Sequence, residues 1–126
     1  MKTFEKLIQL MMGVTDMEKS KTFYADVMGF AVTTDYGQGD KHWVNLSFPD
    51  GGVTLTLTTY LGEHLQPGTM SLYVATPDIQ QAYDELSAKG VKPTSEISDD
   101  LYGPGSAVKW FSVADPDGNN LTIAQS

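Results

Sequence analysis

The feature that most constrains this chain is an internal repeat: one order of strand, helix and further strands is written twice. The first predicted helix follows Val14-Thr15-Asp16. Thr15 with Glu18 three residues on reads as a capping box. Met17, Phe23, Tyr24, Val27 and Met28 supply its apolar stripe, and Gly29 stands where a C-terminal glycine belongs. The second follows Val74-Ala75-Thr76, with Pro77 at the first helical position and Thr76 or Asp78 as the cap. Its stripe is Ile79, Ala82, Tyr83 and Leu86, and Gly90 ends it. Strand-like runs at 8–14 and 69–75 precede the helices. Further strands are predicted at 30–36, 42–48 and 53–59 after the first, and at 91–97, 107–114 and 121–124 after the second. Matching turns, Pro49-Asp50-Gly51-Gly52 and Asp115-Pro116-Asp117-Gly118-Asn119, precede the last strand of each half. The offset is 61 residues at the glycines (29 to 90) and 67 at the turns (50 to 117). The six extra residues fit the loop around Tyr102-Gly103-Pro104-Gly105. The expected fold class is therefore α+β, a tandem of βαβββ modules. Module 1 covers about 5–59, a linker 60–68 and module 2 about 69–126. One such module is too small to bury its sheet face, so 1–126 is expected to act as a single domain.

Composition narrows the chemistry. All eight basic residues are Lys, against 16 acidic ones, for a net charge of −8. With no Arg, the bidentate fork for phosphate, carboxylate or guanine is missing. Together with the charge, this excludes nucleic acid and an anionic membrane surface as expected partners. With no Cys there is no disulfide, thiolate metal site or Cys nucleophile, and two His cannot supply a three-His metal site. The longest apolar stretch, 7–14, is interrupted by Gln9 and falls far short of the roughly 18 residues a membrane span needs. Glu5 near the start, with no small-residue cleavage site after it, reads as mature cytoplasmic sequence.

Period-two alternation gives the sheet two faces. Ile8, Leu10, Met12, Val14, Val44, Leu46, Phe48, Val53, Leu55 and Leu57 form the aliphatic face in the first half, with Met70, Leu72, Val74, Phe111, Val113, Leu121 and Ile123 in the second. That face packs on the helices. The other face carries hydroxyls, amides, Trp43, Tyr73 and Trp110. Two readings of it stand: a solvent-facing sheet in which Thr is simply a good strand former, or the lining of a small-molecule pocket with aromatic walls and convergent polar groups. His42 and His64 read as scattered surface residues, and Asp99-Asp100 as a solvated turn. No metal-binding, paired-carboxylate or phosphate-cradling motif is visible.

These residues resemble the vicinal oxygen chelate superfamily, the glyoxalase, bleomycin resistance and extradiol dioxygenase group. The matching text is Val14-x-Asp16 with Lys19-Ser20, Phe23-Tyr24 and Gly29-Phe30. Leu72-Tyr73-Val74, the helix ending at Gly90, and Phe111-x-x-x-Asp115-Pro116-Asp117-Gly118-Asn119 follow in the same order. The resemblance implies paired βαβββ modules forming a cupped, mostly antiparallel sheet with helices on its outer face, and commonly a homodimer. In metal-dependent relatives four ligands project into the cup. Those positions read Gln9, Thr56, Thr69 and Thr122 here. A Gln is compatible with a metal; three neutral hydroxyls are poor ligands for a divalent transition ion.

The expected function is metal-independent binding of a small organic ligand, without cofactor and without catalytic residues. A cationic, aromatic antibiotic of the bleomycin kind, sequestered as a resistance mechanism, suits the acidic chain. The candidate binding residues are Gln9, Met11, Trp43, Asn45, Thr56, Thr58, Thr69, Ser71, Tyr73, Tyr102, Trp110 and Thr122. Two alternatives stand beside it: a glyoxalase- or dioxygenase-like lyase or isomerase with a displaced or absent metal site, and a ligand-sensing module.

Overall fold

The computed structural model describes residues 3–126. The chain divides into two compact units, Met1–Pro67 and Gly68–Ser126. The first contains β1 (Gln9–Gly13), α1 (Met17–Thr22), β2 (Ala31–Gln38), β3 (Lys41–Ser47) and β4 (Thr54–Thr58). The second contains β5 (Ser71–Thr76), α2 (Ile79–Ala88), β6 (Trp110–Ala114) and β7 (Asn120–Gln125). This is an α+β architecture of two sheets. The β2–β3, β3–β4 and β6–β7 pairs are antiparallel; β1–β4 and β5–β7 are parallel. Among the described residues no helix is long and apolar enough to cross a membrane.

In the first unit the strand order is β1-β4-β3-β2. α1 packs on β3 and β4. The aliphatic face predicted from alternation is the one it covers: Met12, Val14, Val44, Leu46, Leu55 and Leu57 are buried, whereas Ile8, which precedes the first residue of β1, is exposed. α1 begins at Asp16, whose side chain accepts from the Lys19 N–H. The cap is therefore Asp16, not Thr15: the helix begins at Met17, so Asp16 holds the extended N-cap position from which its carboxylate reaches the N–H three residues on. α1 continues as a π-helical turn, Phe23–Val27, which buries Phe23 and Tyr24. The Tyr24 hydroxyl reaches Met12 Sδ at 3.7 Å. Gly29, at φ +81°, then releases the chain into β2.

In the second unit the order is β5-β7-β6, so β7 takes the central place that β4 has in the first. Phe111, Val113, Leu121 and Ile123 are buried, with Ile79 and Leu86 from α2, and the Tyr83 ring stands edge-on to Phe111 at 5.2 Å. Asp78 caps α2 by accepting from the Gln81 N–H, which leaves Pro77 before the helix and not at its first position. The helix closes with Gly90 N–H to Ser87 O and Val91 N–H to Leu86 O, the paired bonds of a Schellman motif.

The second unit departs from the predicted pattern at 91–97, which forms no strand. The segment runs beside β6 through separate bonds: Thr94 N–H to Ser112 O, a Ser98–Trp110 bridge, and Ser112 N–H to the Ser95 hydroxyl. Pro93 has no N–H to give to a ladder, and Ser95 meets β6 with its side chain where a strand would use its backbone. The turn after β6 is built on Asp115, whose buried carboxylate accepts the N–H groups of Asp117 and Asn119 and the Asn119 side-chain amide. Asn119, fully buried, in turn accepts the Met70 N–H at 2.8 Å and ties the turn to the start of β5.

Candidate functional site

The sheet face of the first unit away from α1 holds a cavity of about 420 Å³. It is lined by Gln9, Met11, Lys41, Trp43, Asn45, Thr56, Thr58 and Tyr60. Strand register explains the set. Thr56 of β4 lies opposite Met11 of β1 and Asn45 of β3; Thr58 lies opposite Trp43. Side chains in register on neighbouring strands share a face, so these residues converge on one surface. Thr56 and Thr58 are buried because β4 is central, and they form the floor. Met11 and Trp43 are partly exposed walls; Lys41 and Tyr60 stand at the rim.

A hydrogen-bonded chain crosses the floor. The Gln9 amide donates to the Thr56 hydroxyl at 2.7 Å, and that hydroxyl donates to Asn45 Oδ1 at 2.6 Å. Three strands are thereby locked by three neutral side chains. Thr58 accepts the Tyr60 N–H at 3.0 Å, which fixes the chain as it leaves β4. Trp43 stacks on Tyr36, its cross-strand partner on β2, with ring centroids 4.4 Å apart and planes 29° from parallel. That stack occupies one face of the indole and holds it upright. At the rim the Lys41 ammonium lies 4.5 Å from the centre of the Tyr60 ring, a cation–π contact.

Gly13 shares the cavity face, in register with Thr58. A side chain there would meet Leu61 Cδ2 at 2.8 Å and the Leu65 carbonyl at 3.2 Å. The bare backbone at Gly13 leaves room for the segment after Tyr60, which lines the cavity, to pack against this end of β1.

Two of the four positions at which relatives place metal ligands, Gln9 and Thr56, meet here, and they bond to each other. Amide and hydroxyl oxygens engaged in this way offer no anionic or imidazole donor, so the set does not fit a divalent transition ion. Among the described residues no three His, Cys, Asp or Glu side chains cluster as a metal site would require.

The remaining candidates, Thr69, Ser71, Tyr73, Tyr102, Trp110 and Thr122, lie in the second unit. Thr122 is buried on β7, and the Asn120 side-chain amide donates to both its hydroxyl and that of Ser71. Tyr73 and Tyr102 are largely exposed. The Trp110 indole donates to Asp100 Oδ1 at 3.3 Å, so this Trp anchors the Asp99-Asp100 turn.

The sequence reading omitted Lys41, Tyr60 and Tyr36 from the site. Lys41 stands two residues before Trp43 on the same strand face, and Tyr60 two residues after Thr58. Carrying the alternation one step further at each strand end reaches both.

The electrostatic cluster of this unit lies on the opposite face. Asp35 of β2 accepts from Lys21 of α1 and pairs with His42 Nε2 on β3, each at 2.5 Å. Hydrogen bonds from His42 first and Lys21 second hold the Asp35 carboxyl below its ordinary range, and the bond to Asp35 raises Lys21. The cluster clamps helix to sheet and does not face the cavity.

The sequence profile of the Glyoxalase/Bleomycin resistance protein/Dioxygenase superfamily matches residues 6–123. The Bacillus subtilis (strain 168) protein YurT is 27% identical over 101 residues, which cover 72% of this chain and 80% of that protein. Among solved structures, TnmS3, an antibiotic binding protein from Streptomyces sp. CB03234, superposes with a TM-score of 0.76 at 23% identity, covering 99% of this chain and 98% of its own. A superfamily member from Sphaerobacter thermophilus DSM 20745 gives 0.79 at 23% identity, covering 99% and 100%.

Proposed function

The chain belongs to the glyoxalase/bleomycin resistance protein/dioxygenase superfamily, and within it we propose that this protein binds a planar aromatic small molecule in the first unit's cavity, without a metal and without transforming it. The observation that carries the reading is the cavity's lining: an upright Trp43 and a Tyr60 ring above a floor of mutually bonded neutral side chains. Aromatic walls with a few fixed polar groups suit recognition of a flat ligand. The lining supplies no carboxylate and no imidazole, so the usual acid–base pair of an isomerase or lyase is missing from it. That TnmS3, a fold neighbour, is an antibiotic binding protein supports a ligand of the antibiotic class. A homodimer follows from the resemblance, and the exposed apolar run Phe4, Leu7 and Ile8 supports one; sedimentation equilibrium tests it.

The test uses Trp110→Phe protein, in which Trp43 is the sole indole. Planar aromatic antibiotics are titrated against its fluorescence, with and without chelator. Saturable quenching at one-to-one stoichiometry, unaffected by chelation and with the ligand recovered unchanged, is expected. Binding that needs a stoichiometric divalent metal, or a ligand recovered as product, overturns the reading in favour of an enzyme. No quenching by any planar ligand removes this cavity as the site.

A further inference from the structure

Resting on that reading, we infer that the cavity selects an aromatic anion, a planar ring bearing a carboxylate or phenolate that faces Lys41 and the Gln9 and Asn45 amides. The net charge of −8 argues for a cation, but the cavity's own groups argue the reverse. Lys41 is the only charged side chain in the lining. Its ammonium rests on the Tyr60 ring and pairs with no carboxylate among the described residues. An ammonium has three donors and accepts nothing, so what it lacks is an acceptor.

The floor has the same bias. The Gln9–Thr56–Asn45 chain uses one N–H of one amide and the carbonyl of the other, whichever way round the amides are set. Three amide N–H groups remain for a ligand, against one wholly free carbonyl. Thr58 already accepts from the Tyr60 N–H, so its hydroxyl proton adds a donor. A ligand with donors only would leave this surface unpaired; a carboxylate or phenolate satisfies it. The acidic residues of the chain act from outside the lining. Their field is screened over about 8–10 Å at physiological ionic strength, so it slows encounter more than it weakens a contact made inside the cavity.

The test compares three ligands of one shape by isothermal titration calorimetry: 2-naphthoate, 2-naphthamide and 2-naphthylmethylammonium. The naphthoate is expected to bind about tenfold tighter than the amide, the low end for a charge-assisted hydrogen bond at an open rim. Lys41→Met should bring the naphthoate down to the amide's affinity in the same variant, and Lys41→Arg should keep the tenfold gap. Equal or tighter binding of the ammonium ligand, or a naphthoate advantage that survives Lys41→Met, overturns the inference while the binding reading stands. Failure of all three to bind the wild-type protein overturns both.

Discussion

Replacing Thr56 by Val tests the chain on which the cavity floor depends. Val keeps the shape of Thr, so the change isolates the hydroxyl. Two hydrogen bonds disappear, at 2.7 and 2.6 Å. A neutral intramolecular bond contributes about 1 kcal/mol net, which sets an upper figure of about 2 kcal/mol for the pair. The freed amides of Gln9 and Asn45 still face the cavity and regain water, so neither suffers the full penalty of a buried orphan. The expected loss is therefore about 1 kcal/mol, or roughly 3–5 °C in Tm for a chain of this length. Thermal unfolding by circular dichroism and urea titration read it. A double-mutant cycle with Gln9→Met then isolates the Gln9–Thr56 contact, which should couple by about 0.5–1 kcal/mol. Ligand affinity should fall as well, since unlocked amides must be ordered on binding. A Thr56→Val protein as stable as wild type, with zero coupling, refutes the claim that this chain locks the three strands. A loss above about 4 kcal/mol refutes it the other way, by showing that the hydroxyl serves more than two neutral bonds.

Asp35→Asn should destabilise the first unit in a pH-dependent way. Because folding lowers the Asp35 carboxyl, its contribution is complete above the ordinary value of 3.8 and fades as pH falls through it. Lys21 is raised, so its share is complete below 10.5 and fades above it. The gap between wild type and variant should thus be widest at neutral pH and narrow in acid and in high salt; a gap constant from pH 7 to pH 2 sinks the assignment. Gly13→Ala should cost about 1–3 kcal/mol and weaken ligand binding, because the Leu65 carbonyl is backbone and cannot swing aside as Leu61 can. Unchanged affinity in that variant shows that the segment packed on Gly13 does not shape the cavity. Asn119→Ala should cost about 2–4 kcal/mol by urea titration, since it removes the acceptor of the Met70 N–H and the amide's bond to Asp115; a loss under 1 kcal/mol refutes that accounting.

What alternation encodes was readable. Val44, Leu46, Leu55 and Leu57 are buried because every second residue of a strand meets the helix, and no partner strand need be known to say so. What depends on the partner was not. The segment at 91–97 has strand-like composition, but its pairing depends on which N–H groups β6 finds opposite, and Pro93 offers none. Tyr36 joins the site only because the β2–β3 register sets it against Trp43, and a bulge between Val32 and Thr34 shifts that register. No count along one strand reveals the bulge. Lys41 and Tyr60 were lost differently: the alternation was correct but stopped one step short, at strand ends where composition fades first.

Burial explains why neutral side chains suit the positions of Thr56 and Thr122. A central strand buries both faces, so a polar residue there must find a partner inside the protein. At Thr56 a carboxylate would need a cation or several donors, and an imidazole a second polar partner. A hydroxyl needs only what Gln9 and Asn45 provide. The second unit meets the same demand differently, with Asn120 on the central strand itself bonding along it to Thr122 and across to Ser71. In the first unit the amides stand on the strands flanking β4 and their remaining groups reach the cavity; in the second the amide is spent within the sheet. Neutral side chains on both central strands therefore do not make the units equivalent: the donors left over in the first are what a ligand can use.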